Sequence, residues 1–172
     1  LVAIDPRNGE VLAIVSEPAY DPNLFPGGIG SETWNGLVSD ESRPLRNRAI
    51  SGQYPPGSTY KAVVAVAGIA EGILDPEAKV FCPGEYRLGR HTYRCWKRGG
   101  HGEVNLDQAV LGSCDVYFYK LGIELGVDKI GEYARKFGFG SPTGIDLQGE
   151  MPGLVPSREW KERARGERWL KG

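Results

Sequence analysis

The sequence predicts an α+β domain, and two observations carry that expectation. Two apolar runs, Leu1–Ile4 and Val11–Val15, flank Asp5-Pro6-Arg7-Asn8-Gly9, a turn in which proline presets one dihedral and Asn-Gly tolerates positive φ. They read as a β-hairpin over residues 1–16. Downstream, apolar residues recur at helical spacing in segments punctuated by glycine, which reads as a set of short helices. Both hairpin strands are apolar at nearly every position, so both faces of the sheet are expected to be covered by helices.

The remaining elements follow in order. Residues 17–53 are rich in Pro, Gly, Asn and Ser and read as loop, with a short helix near Trp34–Val38. Tyr54-Pro55-Pro56-Gly57 forces an extended turn, after which Ser58, a favoured N-cap, opens a helix to about Glu71. The small apolar residues Ala62–Ala70 make that helix buried nearly all round, and Gly72 stops it. Residues 80–101 form an irregular, turn-rich insert. Short helices are expected over Asn105–Leu111, Val116–Leu125 and Val127–Phe137, the last ended by Gly138. The tail Ser157–Lys171 reads as a solvated amphipathic helix of mixed charge, an exposed face and not a partner site.

Composition narrows the function. With 172 residues, 40% hydrophobic and 25% charged, the chain is long enough and apolar enough for a packed core, which excludes disorder. Its formal net charge of −1, with basic and acidic residues interspersed, argues against a nucleic-acid partner. The longest apolar stretch, Ala62–Ala70, is too short to cross a bilayer. The chain opens on Leu1 in mid-strand, so it is expected to be an excised segment, any export signal or anchor lying upstream.

Acyl transfer by serine needs a hydroxyl that can lose its proton near neutral pH and a site for the developing oxyanion. Ser58-Thr59-Tyr60-Lys61 supplies the hydroxyl and an amine three residues on, on the same helical face. Burial penalises a charged amine, and a neutral one acts as a base. The start of the helix also presents backbone N–H groups at the positive end of its dipole. Nine serines and eight lysines give roughly 0.4 chance matches to Ser-x-x-Lys in such a chain, so the spacing alone is weak. Its single occurrence follows Pro-Pro-Gly and heads an unusually apolar helix, where a lysine is costly unless it works. Ser113-Cys114-Asp115 is the only Ser-x-Asp or Ser-x-Asn in the chain. A second hydroxyl and a carboxylate there would relay a proton and hold Lys61; taken alone, Ser113 reads first as the N-cap of the next helix.

Together Ser58-x-x-Lys61 and Ser113-x-Asp115 resemble the first two of three motifs of penicillin-binding proteins and serine β-lactamases. The wider wording resembles the class B, monofunctional transpeptidases. Asp5–Ala13 resembles their opening hairpin, and Asn47–Ile50 with Tyr54–Thr59 the lead-in to their nucleophile. Phe137–Gly140, Thr143–Leu147 and Pro156–Trp160 resemble stretches that follow. The resemblance implies a penicillin-binding protein/serine β-lactamase-like transpeptidase fold. It also implies peptidoglycan stem peptides ending in D-Ala-D-Ala as substrate and β-lactam antibiotics as acylating inhibitors. Ser58 would be the nucleophile, Lys61 the acylation base, and Ser113 with Asp115 the proton relay. It implies a place on the periplasmic face of the bacterial inner membrane, anchored by an upstream segment, and a membrane-embedded, glycan-polymerising synthase as partner. The third motif, Lys-Thr-Gly or Lys-Ser-Gly, is absent; Lys171-Gly172 lacks the hydroxyl residue. The later sheet strands and half the oxyanion hole are therefore expected outside this segment, which alone should acylate poorly. Two other functions share these residues: a β-lactamase or β-lactam sensor of the same fold, and a non-catalytic, metal-stabilised interaction module.

Cys82, Cys95, His101 and Cys114 stand 13, 6 and 13 positions apart. Three thiolates and an imidazole make a closed tetrahedral set suited to structural zinc, in an insert (about residues 80–114) with little apolar content of its own. A Cys82–Cys95 disulfide, with Cys114 a small core residue, is the alternative, as is His91 in place of His101. Some class B members carry zinc on an Asp, Asp, His, Cys set at corresponding places, so the resemblance favours the metal. Such a zinc would preorganise the loop presenting Ser113 and Asp115. Tyr93, Trp96, Lys97 and Arg98 are polar and aromatic residues of the insert that could contact the stem peptide, but they read rather as solvated insert surface.

Overall fold

The computed structural model describes residues 1–170. These form two compact units, one of Leu1–Tyr54 with Gly144–Met151, the other of Pro55–Thr143 with the chain from Pro152 onward.

In the first unit, β1 (Val2–Ile4) and β2 (Val11–Ile14) pair antiparallel, with a register irregularity between Ala3 and Ile4. The turn is fixed by Asp5, whose carboxylate accepts the Arg7 N–H at 2.9 Å, and by Gly9 at φ 81°. The hairpin is where the sequence placed it, but its faces are not covered as expected: Val2, Ile4, Val11 and Leu12 are between 41% and 67% exposed. Two strands alone cannot bury both of their faces. Two helices follow, α1 (Ser31–Ser39) and α2 (Arg48–Ser51). The first begins a turn earlier than expected; the second interrupts what read as loop, capped by the Asn47 side chain on the Ala49 N–H. Ser16 ties hairpin to helix, donating to the Arg46 carbonyl and accepting from the Arg48 N–H.

The second unit is built on α3 (Lys61–Ala70) against α5 (Asp115–Lys136). Val63, Val64 and Ala67 of α3 bury against Val116, Tyr117, Phe118, Leu121 and Leu125 of α5. Gly68 permits the close approach: a Cβ there would stand 2.9 Å from Leu121 Cδ1 and 3.0 Å from Leu74 Cβ. The outer face of α3 is open, with Val66 42% and Ile69 47% exposed, so the helix is one-sided and not buried all round. Within α5 the backbone leaves helical geometry at Gly126 (φ 74°), which divides the two helices expected over residues 116–137.

The insert contains four strands that the sequence reading left irregular. β3 (Val80–Cys82) pairs with β6 (Gly102–Val104), and β4 (Glu85–Leu88) pairs with β5 (His91–Arg94). At three or four residues each, with polar residues on both sides, they are too short to show a period. α4 (Leu106–Leu111) carries a full capping box between Asn105 and Gln108. α6 (Arg158–Arg165) starts on the Ser157 cap and ends at left-handed Gly166, earlier than expected; Lys171 lies outside the described residues. No described helix is long and apolar enough to cross a membrane.

Gly68→Val should lower unfolding stability by about 1–3 kcal/mol through overpacking against Leu121 and Leu74. Urea denaturation with an unchanged m-value would report it.

Candidate active site

Gly57, at φ 60°, turns the chain into a 3₁₀ turn, Gly57–Tyr60, and α3 begins only at Lys61. Ser58 therefore lies in the tight turn ahead of the helix and is not its N-cap. Its hydroxyl instead meets the Ser113 hydroxyl, oxygen to oxygen, at 2.9 Å.

Lys61 points from the first turn of α3 toward the loop before α5. Its Nζ donates to the Ser113 carbonyl at 2.9 Å, to Ser113 Oγ at 3.0 Å and to Asp115 Oδ1 at 2.6 Å. Three acceptors match the three N–H groups of an ammonium. The Lys61 and Asp115 side chains are 16% and 22% exposed, and the amine lies 5.6 Å from the Phe118 ring centroid. The amine was expected to meet Ser58 directly; its hydrogen bonds go to Ser113 and Asp115, and Ser113 Oγ bridges to Ser58. The result is a chain Ser58 Oγ–Ser113 Oγ–Lys61 Nζ–Asp115 Oδ1 that donates from amine toward serine; with the amine neutral, rotation of the two hydroxyls reverses it and aligns a path for a proton from Ser58 to Nζ.

Ser113 is held in the left-handed region at φ 48°, a conformation costly for a residue with a Cβ. Cys114, not Ser113, is the N-cap of α5. The strained loop is tied from several sides. Trp96 donates its main-chain N–H to Asp115 Oδ2 at 3.0 Å, and its indole N–H to the carbonyls of Gly112 and Ser113 at 3.0 and 3.1 Å. Trp96 is 65% exposed, as expected of a surface residue, yet it is wired into the site. Its place directly after Cys95 was the available signal.

Beneath the loop, Cys82, Cys95, His101 and Cys114 bring one donor atom each to within 4.8 Å of one another. His101 Nδ1 lies 3.8 Å from Cys82 Sγ and 3.4 Å from Cys95 Sγ. His101 Nε2 lies 3.0 Å from the Gly112 carbonyl, which can only accept, so Nε2 carries a proton, and it is Nδ1 that faces the thiols. Donors about 2.3 Å from a tetrahedral ion stand roughly 3.8 Å apart, so this set fits such an ion with little movement. The three thiols are free and buried, and His91, exposed on β5, is not part of the converging set. Burial pushes the Cys114 thiol up to about 12. For Cys95, burial also acts upward, but the N–H groups of Lys97, Asp115 and Val116 outweigh it and hold the thiol below its usual range.

A serine, an amine and a second serine in one hydrogen-bonded chain, at the head of one helix and before another, make a distinctive arrangement, and the sequence that builds it matches a known family. The model of the penicillin-binding protein transpeptidase domain matches residues 1–167. The chain belongs to that family. It is 47% identical, over its whole length, to the peptidoglycan D,D-transpeptidase MrdA of Acinetobacter baumannii, of which it covers 26%. Among solved structures it is similar to Pseudomonas aeruginosa PBP2 in complex with WCK 5153, with 46% identity and a TM-score of 0.89 over 99% of this chain and 39% of that one. It also resembles a chain from work on structural coordination of polymerization and crosslinking by a peptidoglycan synthase complex: 36% identity, TM-score 0.86, over 99% of this chain and 29% of that one. This penicillin-binding protein segment thus spans between a quarter and two fifths of the length of the proteins it matches.

Asp115→Ala should leave the half-buried Lys61 amine without its carboxylate and cost about 3 kcal/mol. Chemical denaturation compared with Asp115→Asn, which keeps a hydrogen-bonding side chain and should lose less, checks this.

Proposed function

We propose that this chain is the nucleophile-bearing part of a peptidoglycan D,D-transpeptidase of the PBP2 type. The observation that carries the reading is the unbroken hydrogen-bond chain from Ser58 through Ser113 to Lys61. In the reaction, Ser58 Oγ attacks the carbonyl of the penultimate D-Ala of a stem peptide. With the Lys61 amine neutral at this step, Ser58 Oγ gives its proton to Ser113 Oγ, which gives its own to Nζ as the oxygen–carbon bond forms. Return of that proton to the departing nitrogen, again through Ser113, releases the terminal D-Ala and leaves an ester on Ser58. An amine from a neighbouring strand then attacks the ester, and the same relay restores the serine. Asp115 stabilises the charge that Lys61 carries while it holds the proton. A β-lactam follows the first half of this path, but its leaving nitrogen stays tethered to the acyl group, so the ester persists.

The remaining assignments rest on the same reading. Peptidoglycan is assembled outside the cytoplasmic membrane, so the protein works at the periplasmic face of the inner membrane, anchored by a segment upstream. A glycan-polymerising synthase is its partner, in keeping with the likeness of this chain to one chain from the work on a peptidoglycan synthase complex. Residues 1–172 carry no Lys-Thr-Gly motif, and by themselves they acylate poorly.

Zinc held by Cys82 Sγ, Cys95 Sγ, His101 Nδ1 and Cys114 Sγ would supply structural cross-linking and no reaction step. Its role would be exerted through Cys114, adjacent to Ser113, and through His101, whose Nε2–H already holds the Gly112 carbonyl.

In the full-length protein, Ser58→Ala should abolish covalent labelling by a fluorescent penicillin, read by intact mass. Ser113→Ala should slow it by about 10²–10⁴-fold while the fold is retained. Labelling that survives in Ser58→Ala refutes the assignment. Metal analysis of the same protein should find one zinc per chain, and Cys114→Ser should lower the melting temperature by on the order of 5 °C. A metal-free protein with a Cys82–Cys95 bond by mass spectrometry would remove the zinc site.

A further inference from the structure

The insert that carries the cysteines also carries a concentration of positive charge that the acylation chemistry leaves unused. Although the whole chain has a formal net charge of −1, a cleft of about 710 Å³ on the insert is lined by three arginines, Arg87, Arg94 and Arg98, and one acidic residue, Glu85. Trp96 forms part of its wall. That residue also donates its indole N–H to the Ser113 carbonyl and its main-chain N–H to Asp115, so cleft and nucleophile chain share a partition one residue thick.

The cleft is built by the backbone, not by chance extension of surface side chains. Gly84, at φ 98°, turns the chain between β3 and β4 so closely that a Cβ there would stand 2.6 Å from the Arg98 carbonyl oxygen. The Cys95 N–H closes the other side by donating to the Gly84 carbonyl at 2.8 Å. The segments that bear Arg94 and Arg98 are thereby fixed beside each other. Arg94 and Arg98 have no ion pair among the described residues. Arg87 has one, to Glu85 at 3.1 Å, with side chains 77% and 41% exposed; solvated pairs of that kind are weak and readily exchanged. Guanidiniums bind carboxylates in a planar, two-pronged geometry.

We propose that this cleft is a subsite for a carboxylate-bearing peptide, in which Arg94 and Arg98 bind an acidic group of the donor stem upstream of its D-Ala-D-Ala end. The proposal deepens the transpeptidase reading and depends on it for the identity of the peptide. Trp96 joins the two sites: its N–H groups set the loop that holds Ser113, and the same residue lines the cleft. The arginines act on binding and take no part in the acylation step.

The test uses full-length protein carrying Ser58→Ala, which binds without turnover. The probe is a fluorescent stem pentapeptide in two forms: one with its carboxylates free, the other with the carboxylates upstream of the C-terminus converted to carboxamides. Adding Arg94→Gln and Arg98→Gln should weaken the acid form about tenfold, equivalent to about 1.4 kcal/mol. The carboxamide form should bind both proteins alike, and the acid form's advantage should shrink as salt is raised. Unchanged affinity for the acid form, or an equal loss for both forms, overturns the subsite. Penicillin labelling is run in parallel on protein that retains Ser58. If the unsubstituted protein is not labelled, the transpeptidase reading fails while the anion site is still judged from binding. If the two arginine substitutions slow labelling, they serve the fold or the nucleophile, and the subsite is overturned.

Discussion

The amine of Lys61 is the contact on which the site depends. It is the point where α3, which carries the nucleophile's turn, is joined to the loop that opens α5, and it makes that junction with three hydrogen bonds at once. Two of its acceptors belong to Ser113, whose backbone is in an unfavourable region, so the amine both uses that conformation and helps maintain it. Packing delivers the two elements to each other. Gly68 lets the helices close, and the apolar faces of α3 and α5 supply the burial that offsets the cost of confining a charged pair between them.

The loop is held by polar contacts from outside the two helices as well. Trp96 and His101, both from the insert, converge on the carbonyl of Gly112, one through an indole N–H and the other through an imidazole N–H. The insert thus has a structural task despite its small apolar content: it brings a tryptophan and a histidine, their ring centroids 5.6 Å apart, onto one peptide carbonyl. Cys82 and Cys95 face the other ring nitrogen of that histidine and Cys114 adjoins Ser113 in the chain, so any change in how the thiols are linked is felt at the loop through both the imidazole and the backbone.

Much of this was legible in the sequence where local chemistry decides conformation. Asp-Pro-Arg-Asn-Gly specified the hairpin turn, and Gly72 and Gly138 the ends of helices. The spacing of Ser58 and Lys61 and the Ser113–Asp115 pair named four residues that the fold brings together, and the three thiols with His101 were named as a set that converges. What escaped was tertiary in origin. The strands of the insert are too short to carry a period. The role of Trp96 depends on a partner 16 and 17 residues away. Ser58 looked like a helix cap because serine favours that position, but its hydroxyl is occupied by Ser113 and the helix starts three residues later. The hairpin's two apolar faces were read as covered because the pattern for a buried strand is the same whether or not the covering elements are at hand.

The left-handed backbone at Ser113 narrows the choice of amino acid there more than its chemistry does. Threonine would keep the hydroxyl, but a branched Cβ is poorly tolerated at that dihedral. Glycine and asparagine accept the dihedral, yet neither has a hydroxyl to offer the nucleophile. Chemistry excludes one group of residues and geometry the other, and serine is what the two exclusions leave standing.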